Sequence, residues 1–89
     1  MIRKGVHVTG LVQGVWFRKY TQEKAASLGL VGSVKNMPEG SVYAEVEGDE
    51  KKVDLFIEWC KVGSPLSKVQ SITLSDLKLK GESSFEILR

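Results

Sequence analysis

Residues 6–18 read Val6-His7-Val8-Thr9-Gly10-Leu11-Val12-Gln13-Gly14-Val15-Trp16-Phe17-Arg18, and the hydrophobic period changes within them. Val6 and Val8 alternate with His7 and Thr9, the two-residue repeat of a strand. From Phe17 onward, Phe17, Thr21, Ala25 and Leu28 fall at the spacing of one helix face. Gly29 then stands where a helix C-terminus favours a residue tolerant of positive φ. The stretch is therefore a strand, a connector over residues 11–16 that carries Gly14, and a helix.

The rest of the chain extends this pattern. A second strand runs from about Leu30 to Asn36. Met37-Pro38-Glu39-Gly40 is a turn, with proline fixing one dihedral and glycine freeing another. Val42, Ala44 and Val46 alternate with Tyr43, Glu45 and Glu47, a strand with one wet face, so strands two and three form a hairpin. Asp49 is the expected N-cap of a second helix. Val53, Phe56, Ile57 and Cys60 are its buried stripe, with Gly63 and Pro65 closing it. Strand-like segments follow at Val69 to Leu79 and Phe85 to Leu88. The order is β-α-β-β-α-β with a short fifth strand, an α+β, ferredoxin-like sandwich with two helices on one face of an antiparallel or mixed sheet. In it strands one and two are parallel, with strand three between them. The fold alone names no function.

Composition narrows the classes. With 89 residues, a single domain over residues 1–89 is expected. The hydrophobic fraction of 42% and charged fraction of 27% are those of a soluble globule, not of a disordered chain. No apolar run reaches the ~18 residues of a membrane span, and Met1-Ile2-Arg3-Lys4 lacks an apolar signal core. One cysteine, Cys60, excludes an internal disulfide and a cysteine zinc cage, which fits a reducing cytoplasm. One histidine, His7, excludes a two-histidine metal motif. The net charge of +2 gives no strong pull toward nucleic acid or a membrane surface. No cofactor and no metal are expected, and a monomer is.

The connector before the first helix holds the chemistry. Helix N-termini leave N–H groups unpaired and carry partial positive charge. Gly10 and Gly14 let the loop curl so that several N–H groups converge on one anion. Arg18 stands in the first helical turn, where a cation opposes the helix dipole. An anion would remove that cost, and the guanidinium could grip a phosphate through two parallel hydrogen bonds. A glycine turn beside a solvated arginine is the alternative reading of the same residues. The loop is no P-loop, since no Gly-Lys-Ser/Thr follows, and its glycine spacing is not that of a dinucleotide fingerprint. Parallel strands one and two end at the same edge of the sheet, about 10 Å apart. That brings Asn36 toward Arg18, either as a turn-making residue or as a second polar group facing a small phosphate.

The segment Val8 to Arg18 resembles the signature of the acylphosphatases: aliphatic, any residue, Gly, any residue, Val-Gln-Gly-Val, any residue, Phe, Arg. All its specified positions are filled. Gly32-Ser33-Val34-Lys35-Asn36, with Gly40, Val42 and Gly48, is similar to the family's second signature, with Ser33 where an aromatic residue is usual. Trp59 and Gly63-Ser64-Pro65 resemble the exit of the family's second helix, with Ser64 interrupting a usual Gly-Pro. The resemblance covers nearly the whole chain. It implies the same α/β sandwich and a cytoplasmic, metal-independent hydrolase acting on a small acyl phosphate. It further implies that Arg18 binds the phosphate and that Asn36 orients the attacking water. The substrate-binding set expected from it and from the loop is Gln13, Gly14, Val15, Trp16, Phe17 and Arg18.

Other residues have plainer roles. His7 lies mid-strand with no acidic partner evident from the sequence. Cys60 reads as an inert core thiol. Phe17 begins the buried helical stripe, leaving Trp16 as the better candidate for contact with an acyl group. Trp59 reads as packing. An RNA-binding module is a rival on this fold, but the RNP pattern is absent. A small-anion sensor without chemistry is another. A domain of a larger carbamoyl-phosphate-handling protein is a third.

Overall fold

The computed structural model describes residues 1–88; Arg89, the last residue of the expected 1–89 unit, lies outside the described residues. The chain runs β1 (Ile2–Leu11), α1 (Phe17–Ser27), β2 (Val31–Asn36), β3 (Val42–Gly48), α2 (Glu50–Val62), β4 (Lys68–Leu77) and β5 (Phe85–Ile87). The sheet order is β4-β1-β3-β2-β5. β3 is antiparallel to both β1 and β2, so β1 and β2 run the same way with β3 between them. β4 is antiparallel to β1, and β5 is parallel to β2, which makes the sheet mixed. The expected α+β sandwich is the observed one.

Alternation decides which face each strand buries. Val6, Val8, Val34, Ala44 and Val46 are buried against the helices, while His7, Tyr43 and Ser33 lie on the opposite, wetter face. α2 fills the centre with Val53, Phe56, Ile57 and Cys60. Phe56 stacks at a tilt on Phe85 at 6.0 Å and on Trp59 at 6.5 Å. Burial pushes the Cys60 thiol up to about 12, so it stays protonated and packs as a small hydrophobe.

The caps explain the element ends. Leu28 is the C-cap of α1, and Gly29 follows at φ 69°. Gly29 N–H donates to the Ala26 carbonyl at 3.1 Å and Leu30 N–H to the Ala25 carbonyl at 2.9 Å. Those two bonds form a Schellman stop. They take Leu30 into the helix end, so β2 starts one residue later than its hydrophobicity suggests. Asp49 caps α2, its carboxylate accepting from Lys52 N–H at 3.3 Å.

The expected strand to Leu79 ends at Leu77. The cause is Glu47, whose carboxylate accepts from the N–H groups of Lys80 at 2.8 Å and Gly81 at 3.1 Å, pulling the chain off the sheet. Glu47 also receives Arg3 Nη1 at 2.9 Å. Arg3, 3% exposed, donates further to Glu45 and to Glu82, each at 2.7 Å. Burial works against the Arg3 charge, but hydrogen bonds with Glu45, Glu82 and Glu47 outweigh it and raise its pKa.

Candidate active site

The site begins at a bulge. The β1–β4 register shifts between Thr9 and Gly10. Gly10 has φ 124°, and a Cβ there would meet the Lys68 carbonyl oxygen at 2.2 Å. Glycine permits that approach, and the bulge turns the chain out of the sheet. Gly14 then adopts φ 73° and Trp16 φ 62°, ψ 19°, whereas Val15 between them does not take positive φ. Alternating handedness points successive N–H groups to one side, the geometry of an anion-binding nest. Trp16 is the one non-glycine among the described residues with positive φ, a conformation that costs about 1–2 kcal/mol.

Seven consecutive N–H groups, Gln13 to Lys19, donate to no acceptor among the described residues. The first bond of the helix is Tyr20 N–H to the Trp16 carbonyl at 3.1 Å. Trp16 caps α1 with no side-chain hydrogen bond, and the first turn holds no acid. The helix N-terminus therefore presents its partial positive charge uncompensated.

A cavity of about 480 Å³ opens at this point, lined among others by Gly14, Trp16, Phe17, Arg18, Asn36 and Ile87. Arg18 and Asn36 thus face one space, as the strand topology requires. Asn36 is the last residue of β2 and shares the helix-covered face with Val34, two positions earlier. Its side chain bonds to nothing among the described residues. Arg18 Nη1 reaches the Leu88 carbonyl at 3.4 Å, a long contact; its other N–H groups find no acceptor among the described residues. Lys19 also lines the cavity, and no carboxylate among the described residues does.

The remaining expected site residues divide. Trp16 is 67% exposed at the rim. Phe17 touches the cavity but belongs to the core, 5.6 Å from Trp59 between ring centres. The side chains of Gln13 and Val15 face away, which leaves their main-chain N–H groups to the site. Gln13 Nε2 donates to the carbonyls of Met37 and Ser41, both at 2.8 Å, tying the glycine loop to the turn after Asn36. Ser64, buried behind the loop, donates to the Val15 carbonyl at 2.9 Å. Sequence reasoning did not connect these two anchors to the loop, because neither contact has a local spacing signal.

His7 has the acidic neighbour that its sequence context hides. Its Nε2 lies 2.7 Å from Ser41 Oγ and 3.5 Å from Glu39. Ser41 also donates to Glu39, and that hydroxyl, followed by the main chain and His7, holds the Glu39 carboxyl below its usual range. The cluster braces the turn from the wet face of the sheet. It lines no part of the cavity.

The chain is similar to known proteins over its whole length. The acylphosphatase family model matches residues 4–87. The acylphosphatase of Methylococcus capsulatus (strain Bath) is 42% identical over 90 residues, covering 100% of this chain and 98% of its own. The crystal structure of acylphosphatase from Bacillus subtilis superposes with a TM-score of 0.97 at 39% identity, with 100% of each chain covered. Full-length HypF, in a phosphate- and nucleotide-bound form, contains a similar unit. That match has a TM-score of 0.89 at 30% identity and covers 99% of this chain and 12% of that one. No helix among the described residues is long and apolar enough to cross a membrane.

Proposed function

The chain belongs to the acylphosphatase family, and from that premise we propose that it hydrolyses a small acyl phosphate to a carboxylate and inorganic phosphate without a metal ion. One observation carries the reading: Arg18, Asn36 and a run of loop amides with no acceptor among the described residues meet at one cavity. The amides of residues 13–18 and the Arg18 guanidinium hold the phosphoryl oxygens, whose charge persists through the transition state. They are preorganised donors and supply the positive field that a bound cation would otherwise provide.

Asn36 offers a carbonyl oxygen and an NH₂ group. Both can hold a water in place, but neither takes its proton. The water oxygen forms a bond to phosphorus as the bond from phosphorus to the acyl oxygen breaks. The electron pair leaves with the carboxylate, and the water proton passes to a phosphoryl oxygen. A carboxylate is a good leaving group, so positioning and charge stabilisation suffice, and no activated nucleophile is required. A monomer in the cytoplasm is part of the same reading. The buried free Cys60 supports its cytoplasmic part.

The test is hydrolysis of benzoyl phosphate. The wild-type chain turns it over equally with and without EDTA, and inorganic phosphate competes. Arg18→Ala loses about 10²- to 10³-fold in kcat/KM, as expected for removing a donor from an oxyanion site. Wild-type turnover by Arg18→Ala, or abolition by chelation, overturns the reading. The anion-sensor rival predicts phosphate binding with no turnover.

A further inference from the structure

The left-handed conformation of Trp16 is held from both sides. The peptide that follows it is fixed by the Tyr20 N–H on the Trp16 carbonyl at 3.1 Å. The peptide that precedes it is fixed by Ser64 Oγ on the Val15 carbonyl at 2.9 Å. Between them these bonds set ψ and φ of Trp16. A non-glycine residue keeps such a conformation only where its surroundings over-determine it.

Ser64 is itself rigidly placed. It is 3% exposed, and its carbonyl accepts Ser67 N–H at 3.0 Å and Ser67 Oγ at 2.7 Å. Gly63 beside it packs so close to α1 that a Cβ there would lie 2.9 Å from the Phe17 ring. In a trans peptide the C=O and N–H point in opposite directions. With the Val15 carbonyl aimed back at Ser64, the Trp16 N–H is aimed away from it, outward from the protein body.

We infer that Ser64, at the exit of α2, is a positioning residue for the anion-binding loop. Its hydroxyl anchors the Val15 carbonyl, keeps Trp16 left-handed and so keeps the nest's N–H groups convergent on a phosphoryl group. The inference rests on the proposed phosphate role of that loop. Ser64 touches no substrate atom and takes no part in bond making.

The experiment titrates the full chain with inorganic phosphate by calorimetry, alongside benzoyl phosphate kinetics. Ser64→Ala weakens phosphate binding roughly three- to tenfold, the size of one lost hydrogen bond. KM rises by the same factor, while kcat stays within about twofold. Ser64→Thr, which keeps the hydroxyl, binds phosphate like the wild type. The double variant Ser64→Ala/Trp16→Gly loses less relative to Trp16→Gly than Ser64→Ala loses relative to the wild type, because glycine takes positive φ without support. Unchanged phosphate affinity in Ser64→Ala overturns the inference, as does equal loss in both backgrounds. If the alanine variant does not fold, Ser64→Cys, a near-isosteric weak donor, carries the same comparison, and wild-type affinity there overturns it. Arg18→Ala separates the two claims. If it binds phosphate as the wild type does, the site reading fails, whatever Ser64 does.

Discussion

Replacing Arg3 by methionine keeps most of the side-chain volume and removes only the charge and its donors. The guanidinium makes four hydrogen bonds: two to Glu45 at 3.1 and 2.7 Å, one to Glu47 at 2.9 Å and one to Glu82 at 2.7 Å. Breaking a buried charge cluster by removing one partner costs roughly 3–5 kcal/mol. Glu47 keeps the Lys80 and Gly81 amides, and Glu45 keeps the Tyr43 hydroxyl. Glu45 and Glu82 are also partly solvated, so the loss falls at the lower end, about 3 kcal/mol. For a domain of this size that is a fall in Tm of about 15 °C. Burial raises the Glu45 pKa, but Arg3 and Tyr43 outweigh it. The Lys80 amide is the main cause for Glu47. Both carboxyls lie below their ordinary 4.5. Depressed carboxyls bind protons less readily folded than unfolded, so their contribution is complete above about pH 4.5 and is lost as pH falls through their folded values. Urea melts at pH 7 and pH 3 should therefore show the difference between wild type and Arg3→Met shrinking with acid. At pH 7, 1 M NaCl should leave most of it, since the Arg3 side chain is shielded from solvent ions. A difference under 1 kcal/mol at pH 7, or one equal at both pH values, refutes this account of the cluster.

Three further outcomes are expected. Gly14→Ala meets nothing within 4 Å, yet must hold φ 73°; it costs about 1 kcal/mol in urea melts and weakens phosphate binding in the same protein. Gln13→Ala removes both bonds to the turn after Asn36, lowering stability by about 1–2 kcal/mol; because Asn36 loses its brace, kcat falls more than KM rises. Cys60 does not react with an aromatic disulfide in the native protein and reacts at once in denaturant; prompt native labelling would contradict its burial and raised pKa.

The fold was legible because its signals are local. The switch from alternation at Val6 and Val8 to helical spacing at Phe17, the Asp49 cap and the Met37–Gly40 turn each act within a few residues. Those signals fixed element order, and the split βαβ arrangement then brought Arg18 and Asn36 to one edge. What remained hidden depends on distant pairs. Arg3 meets Glu82 across 79 positions and Ser64 meets Val15 across 49, and no periodicity records such meetings. The end of β4 is illegible for the same reason, since Leu79 is apolar but Glu47 claims the amides beyond it. Trp16 was legible as an exposed aromatic and illegible as a strained one. Its handedness follows from tertiary anchors, not from tryptophan.

In the site as proposed, the substrate's partners are peptide N–H groups, one guanidinium and one carboxamide. None of these groups titrates between about pH 4 and 10, and none is oxidised under mild conditions. A catalyst made this way has no internal pH optimum to tune and no thiol to poison. In that reading, a bend in its rate across that range points to the acyl phosphate's own ionisation or to loss of the folded state.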